Sequence, residues 1–215
     1  MYELVTAGGW LMLPILVCSI VALAIIGERF WTLRSSKVLP PNLVNNVRKL
    51  VGSSALNEDH LRALQEGSPF GRILAAGLAN RNKDRDTLRT VIEDVGRHVA
   101  HDLERFLNAL GTIAAVTPLL GLLGTVVGMI SVFTTITNVG VGDPGELAGG
   151  ISQALITTAS GLSVAIPTMM FHRYFRGKVD ALVVDMEQEA IKLVDMLHTD
   201  LRRRSRKESA ERSAA

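Results

Sequence analysis

Charge is missing from three long stretches of this 215-residue sequence: Leu4 to Gly27, Leu107 to Gly142 and Leu147 to His172 contain no Asp, Glu, Lys or Arg. Each is longer than the roughly 20 apolar residues that cross a hydrocarbon core of about 30 Å. The averages alone, 47% hydrophobic and 20% charged, do not separate a soluble domain from a membrane protein; the distribution does. It predicts three transmembrane helices. Cysteine is almost absent too. The single Cys18 lies inside the first stretch, which excludes a disulfide within the chain and leaves a small hydrophobic side chain. No Gly-x-Ser-x-Gly, no phosphate-binding loop and no nucleophile with an adjacent base occurs, so an enzyme is not expected and no cofactor is implied. A net charge of only +2 gives no reason to expect a nucleic-acid partner; the basic run Arg202 to Lys207 suits anionic lipid headgroups or solvent.

Basic residues are also unevenly placed. Of 23 Lys and Arg, 13 lie between Arg29 and Arg105 and 10 lie beyond His172. The N-terminal tail and the connection 138–148 have none. The bases flanking the spans therefore place the N-terminus outside and both the large loop and the C-terminus in the cytoplasm. The first stretch lacks the positive start and short apolar region of a cleaved signal peptide. It ends in Glu28-Arg29-Phe30-Trp31, a charged and aromatic border suited to a membrane interface.

Between the spans, residues 32–87 read as a small helical unit broken at Pro40-Pro41 and Gly67-Ser68-Pro69. Asn57 or Ser54 is placed to cap a helix reaching Gln65, and Phe70 to Asn80 reads as another. From Leu88 to Leu110 apolar residues recur every three or four positions, with no proline before the second span, which predicts one helix running into the membrane. A matching stripe, Val179 to Leu197, follows the third span. These two faces require cover, from each other or from neighbouring copies. Beyond Arg202 the charged, small-residue-rich tail reads as disordered.

The expected fold is thus all-α, with three transmembrane helices and long cytoplasmic helical extensions. Its parts are a tail and first span (1–31), a cytoplasmic helical domain (32–109), the second and third spans (110–172) and a C-terminal segment (173–215). The second span is unusual for a lipid-facing helix. Gly111, Ala114, Pro118, Gly121, Thr125 and Gly128 form a small-residue face, with Gly124 beside it. In the third, Ala154, Thr158, Gly161 and Ala165 form another, with Gln153, Thr157, Ser160 and Ser163 nearby. Lipid is as apolar as leucine, so helices associate through close packing at such residues. Pro14, Pro118 and Pro167 are expected to kink or adjust their helices. Counted from Leu110 and Phe171, Thr125 and Thr158 lie roughly 22 and 20 Å deep, which predicts two hydroxyls at one level. They either line a polar path or bond back to their own helices. No carboxylate lies in any span, so proton movement would require one from another subunit. The pair His98 and His101, with Asp94 and Asp102, reads as a solvated helix face rather than a metal site.

The runs LGTIAAVTPLLGLLGTVVGMISVF (110–133) and GGISQALITTASGLSVAIPTMMFHRYF (149–175) resemble the MotA/TolQ/ExbB proton channel family, most closely its three-span ExbB and TolQ members. The resemblance implies an inner-membrane stator subunit driven by the proton-motive force and working as a homo-oligomer, a pentamer in the ExbB type. Its copies surround ExbD- or TolR-like single-span helices that carry a membrane Asp, and energise a TonB- or TolA-like protein. It implies that Thr125 and Thr158 line the polar path, with Gln153 assigned beside them; the residues themselves assign Gly121, Gly124, Gly128, Gly161 and Pro118 to helix packing and Glu28 and Arg29 to the membrane border. Many such relatives have Glu where Gln153 stands, and Gln cannot titrate. Polymer export, motility and a non-conducting membrane scaffold remain as alternative roles.

Overall fold

A computed structural model describes residues 8–52, 57–140 and 144–214. Helices account for the regular structure: α1 (Met12–Thr32), α2 (Ser35–Val38), α3 (Leu43–Gly52), α4 (Glu58–Gly67), α5 (Pro69–Ala79), α6 (Arg85–Leu103), α7 (Leu107–Val139) and α8 (Pro144–Ala214). Three helical regions are long and apolar enough to cross a membrane, beginning at Met12, within 85–137 and from Leu147. The chain divides into two compact units, residues 1–30 with 106–176, and residues 31–105 with 177–215.

The first unit has the outside of a membrane protein. Along α1 only Met12, Ile15, Ala22, Ile26 and Arg29 are buried, on one stripe, while Leu13, Ile20 and Leu23 are each about 60% exposed or more. On α7 and α8 the same holds for Leu119, Ile130, Phe133, Leu155 and Ile166. An apolar surface of this extent, continuous along three helices, needs lipid or protein against it rather than water. The buried side is made of small residues. A Cβ built on Gly161 would lie 2.8 Å from the Thr117 carbonyl oxygen and 3.1 Å from the Gly121 Cα. One built on Gly121 would lie 3.1 Å from the Thr158 Cα, and one on Gly128 would meet the Ala154 Cβ at 2.8 Å. Backbone faces backbone here, which only glycine permits. Pro118 lies inside α7, where it leaves the Ala114 carbonyl without its usual i+4 donor.

The second unit has a conventional helical core. Phe70, Leu74 and Leu78 on α5, Leu88 and Val99 on α6, and Val179, Leu182, Met186, Leu193 and Leu197 on α8 are buried. Gly77 sits where the three meet: its added Cβ would be 3.0 Å from Leu193 Cδ2 and 3.1 Å from Ile92 Cδ1. The two apolar stripes are thus covered within one chain, with α5 packed against both. Caps set the helix starts. Asn57 Oδ1 accepts from the Glu58 amide (2.8 Å), and Ser68 Oγ accepts from the Gly71 amide (3.0 Å) ahead of Pro69. Asp84 accepts from the Thr87 amide (3.0 Å) and the Thr87 hydroxyl (2.6 Å). Ser54, the alternative cap, lies outside the described residues. Arg85 pairs with Asp195 across α6 and α8 (2.9 Å), Arg72 with Asp102 (2.7 Å) and Arg97 with Asp94 (3.4 Å). All these pairs are exposed and contribute little each.

Two expectations fail. The helix from Leu88 does not run unbroken into the second span. It stops at Leu103, turns through Glu104 to Phe106, and restarts at Leu107; Phe106 takes a left-handed conformation (φ 64°). No glycine, proline or asparagine marks the spot, because the turn is held by contacts distant in sequence. Phe106 lies under the Arg29 guanidinium, whose carbon is 5.4 Å from the ring centroid. Nor does the chain lose its helix after Arg202: the backbone stays helical to Ala214. Residues 202–214 contain no Gly or Pro and are mostly Arg, Lys, Glu and Ala, all good helix formers.

Two measurements follow from this packing. Gly161→Ala drives a methyl into the Thr117 carbonyl and is expected to destabilise the detergent-solubilised chain by about 2 kcal/mol. Gly149→Ala, at a helical position with open space around it, is expected to cause no loss and to add up to about 1 kcal/mol of helix propensity. At the start of α6, the hydroxyl and then the amide of Thr87 hold the Asp84 carboxyl below its ordinary value of 3.8. The ionised cap is favoured in the folded chain, so its contribution is fully present above the unfolded pKa and lost as pH falls through the lowered folded value. Thr87 amide protection from hydrogen exchange, corrected for intrinsic rate, should be constant above that ordinary value and decline below it. Asp84→Asn should abolish the decline.

Candidate functional site

The polar groups of interest sit on the facing sides of α7 and α8. Gly121 faces Thr158, Gly124 faces Thr157 and Gly128 faces Ala154, so residue numbers rise on one helix as they fall on the other: the pair is antiparallel. Thr158 Oγ1 donates to the Gly121 carbonyl at 2.8 Å and lies 3.2 Å from the Ala154 carbonyl of its own helix. This bond crosses the interface where the backbones are closest. Thr125 Oγ1 instead donates to the Leu122 carbonyl at 2.7 Å, within α7. Both threonines are half-buried.

This register corrects the expected level. Thr158 is opposite Gly121, four residues before Thr125, so the two hydroxyls are offset by about 6 Å along the axis. Counting residues from the span ends assumed that both helices enter the membrane at one height. The glycine contacts set the register instead.

Gln153 is placed apart from both threonines. It lies five residues before Thr158, about 140° away around the helix. Its amide fills the space that a side chain on Gly9 would need: a Cβ built there would overlap Gln153 Nε2. Next to it Thr157, only 1% exposed, reaches three elements. Its hydroxyl is 2.9 Å from the Gly8 carbonyl and 2.8 Å from the Gln153 carbonyl, and its methyl lies 2.5 Å from a Cβ built on Gly124. Sequence reading passed over Gly8, Gly9 and this role of Thr157. The adjacent Thr157 and Thr158 are chemically identical, and only the packing separates them. A Gly-Gly pair just before a span was the available signal.

At the other end of the unit, Arg29 is 3% exposed, and its charge is matched: Nη2 donates to Glu28 Oε1 at 2.8 Å and Nε to the second carboxylate oxygen. With Phe106 beneath it, the guanidinium is both paired and stacked, as a buried charge requires. Phe30 packs edge-on against Phe171 (5.7 Å between centroids) and Phe175 (5.0 Å), and lies 6.0 Å from Tyr174. An aromatic cluster beside a paired charge is the chemistry of a membrane interface. Between this end and Gln153 the facing surfaces offer hydroxyls, backbone carbonyls and glycines, with the His172 imidazole at the border, 3.0 Å from a Cβ built on Gly111. Such an arrangement can hydrogen-bond a protonated group or water. It cannot bind and release a proton on a carboxylate of its own.

Comparison with known proteins agrees with this picture. Residues 65–188 match the MotA/TolQ/ExbB proton channel family. A protein described as putative biopolymer transport protein ExbB-like 3, from Synechocystis, is 33% identical over 172 residues, covering 79% of this chain and 82% of its own. Biopolymer transport protein exbB1 of Vibrio cholerae is 29% identical over 167 residues (75% of this chain, 72% of its own). The Tol-Pal system protein TolQ of Haemophilus influenzae is 28% identical over 184 residues (83% and 74%). With more than half of its length matched and with helices that cross a membrane three times, this chain belongs to the MotA/TolQ/ExbB proton channel family.

Proposed function

We propose that the chain is an inner-membrane stator subunit of a motor driven by the proton-motive force. Several copies, five in the ExbB-type arrangement, surround ExbD- or TolR-like single-span helices, and proton flow energises TonB-dependent transport across the outer membrane. The observation that carries this reading is a division of chemistry. Thr158 donates across to α7 and Thr125 within its own helix, and both sit on spans whose sequence holds no carboxylate. A partner helix must bring the group that titrates, and the threonines supply hydrogen bonds to it or to its water. In this reading the N-terminus lies in the periplasm and residues 32–109 and 173–215 in the cytoplasm, which the bases flanking the spans favour: Arg29, Arg34, Lys37, Arg97, Arg105, Arg173, Arg176 and Lys178. The Tol branch is the second reading, favoured by the similarity to the Haemophilus influenzae TolQ protein along 83% of this chain.

Thr158→Val and Thr125→Val keep the shape of each side chain and remove the hydroxyl. Each is expected to abolish energised transport in cells lacking other stators, while native mass spectrometry shows the same oligomer as the wild type. Normal transport in both variants would defeat the role assigned to these hydroxyls.

A further inference from the structure

A second polar contact between elements of the first unit lies outside the Thr125 and Thr158 positions, where the Gly8-Gly9 turn meets α8. Gly9 has φ +70°, a conformation that a side chain strains, and its missing Cβ leaves the volume taken by the Gln153 amide. Thr157 closes the contact from the same helix. Its one hydroxyl proton is shared between the Gly8 carbonyl and the Gln153 carbonyl, 149 and 4 residues away in sequence. On its other side the Thr157 methyl fits against Gly124 of α7. Gln153 and Thr157, four residues apart, share one face of α8.

We propose that the Gly8-Gly9 turn, Gln153 and Thr157 form a latch that fixes the start of the first span on the third. In this latch Gln153 is a positioning residue and not part of the proton path. The assignment rests on the stator reading for its functional meaning, since Thr158 is the next residue on the same turn of α8. It also accounts for an amide at 153. A side chain wedged against a backbone turn needs shape and neutrality, and a titrating carboxyl there would change charge against a carbonyl-lined surface.

A double-mutant cycle on the full-length chain in detergent tests the contact without reference to protons. Gly9→Ala is expected to lower the unfolding midpoint by about 2–4 °C. Adding Gln153→Ala makes room for the new methyl, and the double variant should regain part of that loss. Losses that simply add would overturn the latch. Proton flux through the chain reconstituted with its single-span partner then separates positioning from conduction. Gln153→Met, similar in length and unable to titrate or pass a proton, should retain most of the wild-type flux. Loss of flux with an unchanged unfolding midpoint would place the side chain in the path and overturn the positioning role. Absence of flux from the wild-type complex would sink the stator reading instead, with the thermal cycle still deciding the latch.

Discussion

The first unit depends on the approach of two backbones at Gly121 and Gly161. In water a helix pair is held by removing apolar surface from solvent. In lipid that drive is absent, and what remains is contact between atoms and hydrogen bonds across the interface. Because both positions lack a Cβ, α7 and α8 come close enough for the Thr158 hydroxyl to reach the Gly121 carbonyl at 2.8 Å. The same closeness brings the Thr157 methyl to Gly124 and Ala154 to Gly128. Thus one steric condition fixes the register, and the register fixes where each hydroxyl lies.

The second unit obeys other rules, and the sequence shows the change. From Arg85 onward helix α6 alternates buried Leu88, Ile92 and Val99 with paired charges, and α8 does likewise after Gly177. Here burial of leucine and phenylalanine stabilises the fold in the ordinary way. Gly77 is needed for the same reason as Gly161, close approach, but its neighbours are side chains of Leu193 and Ile92 rather than backbone. A methyl there could be absorbed by rotamer shifts; one at Gly161 could not.

The helices themselves were legible. Charge-free windows longer than a bilayer gave the spans, and the breaks at Pro40-Pro41 and Gly67-Ser68-Pro69 coincide with helix ends. The apolar stripes along α6 and α8 predicted their buried faces. What escaped was set by contacts distant in sequence. The turn at Phe106 has no local signal and packs under Arg29. The offset of Thr125 from Thr158 follows from a register that no single helix encodes. The place of Gln153 against Gly9 joins residues 144 positions apart, and composition carries no trace of it. The tail beyond Arg202 misled for another reason: its charge suggested disorder, while its residue types favour helix.

The central claim is that this chain provides the hydrogen-bonding wall of a proton path and that another protein provides the titrating group. Proton flux into liposomes tests it directly, comparing the purified chain alone with the chain reconstituted beside an ExbD- or TolR-like single-span protein. The account predicts no flux above empty liposomes for the chain alone, and flux driven by the membrane potential once the partner is present. Flux from the chain alone would contradict it, since the spans would then be moving protons without a carboxylate.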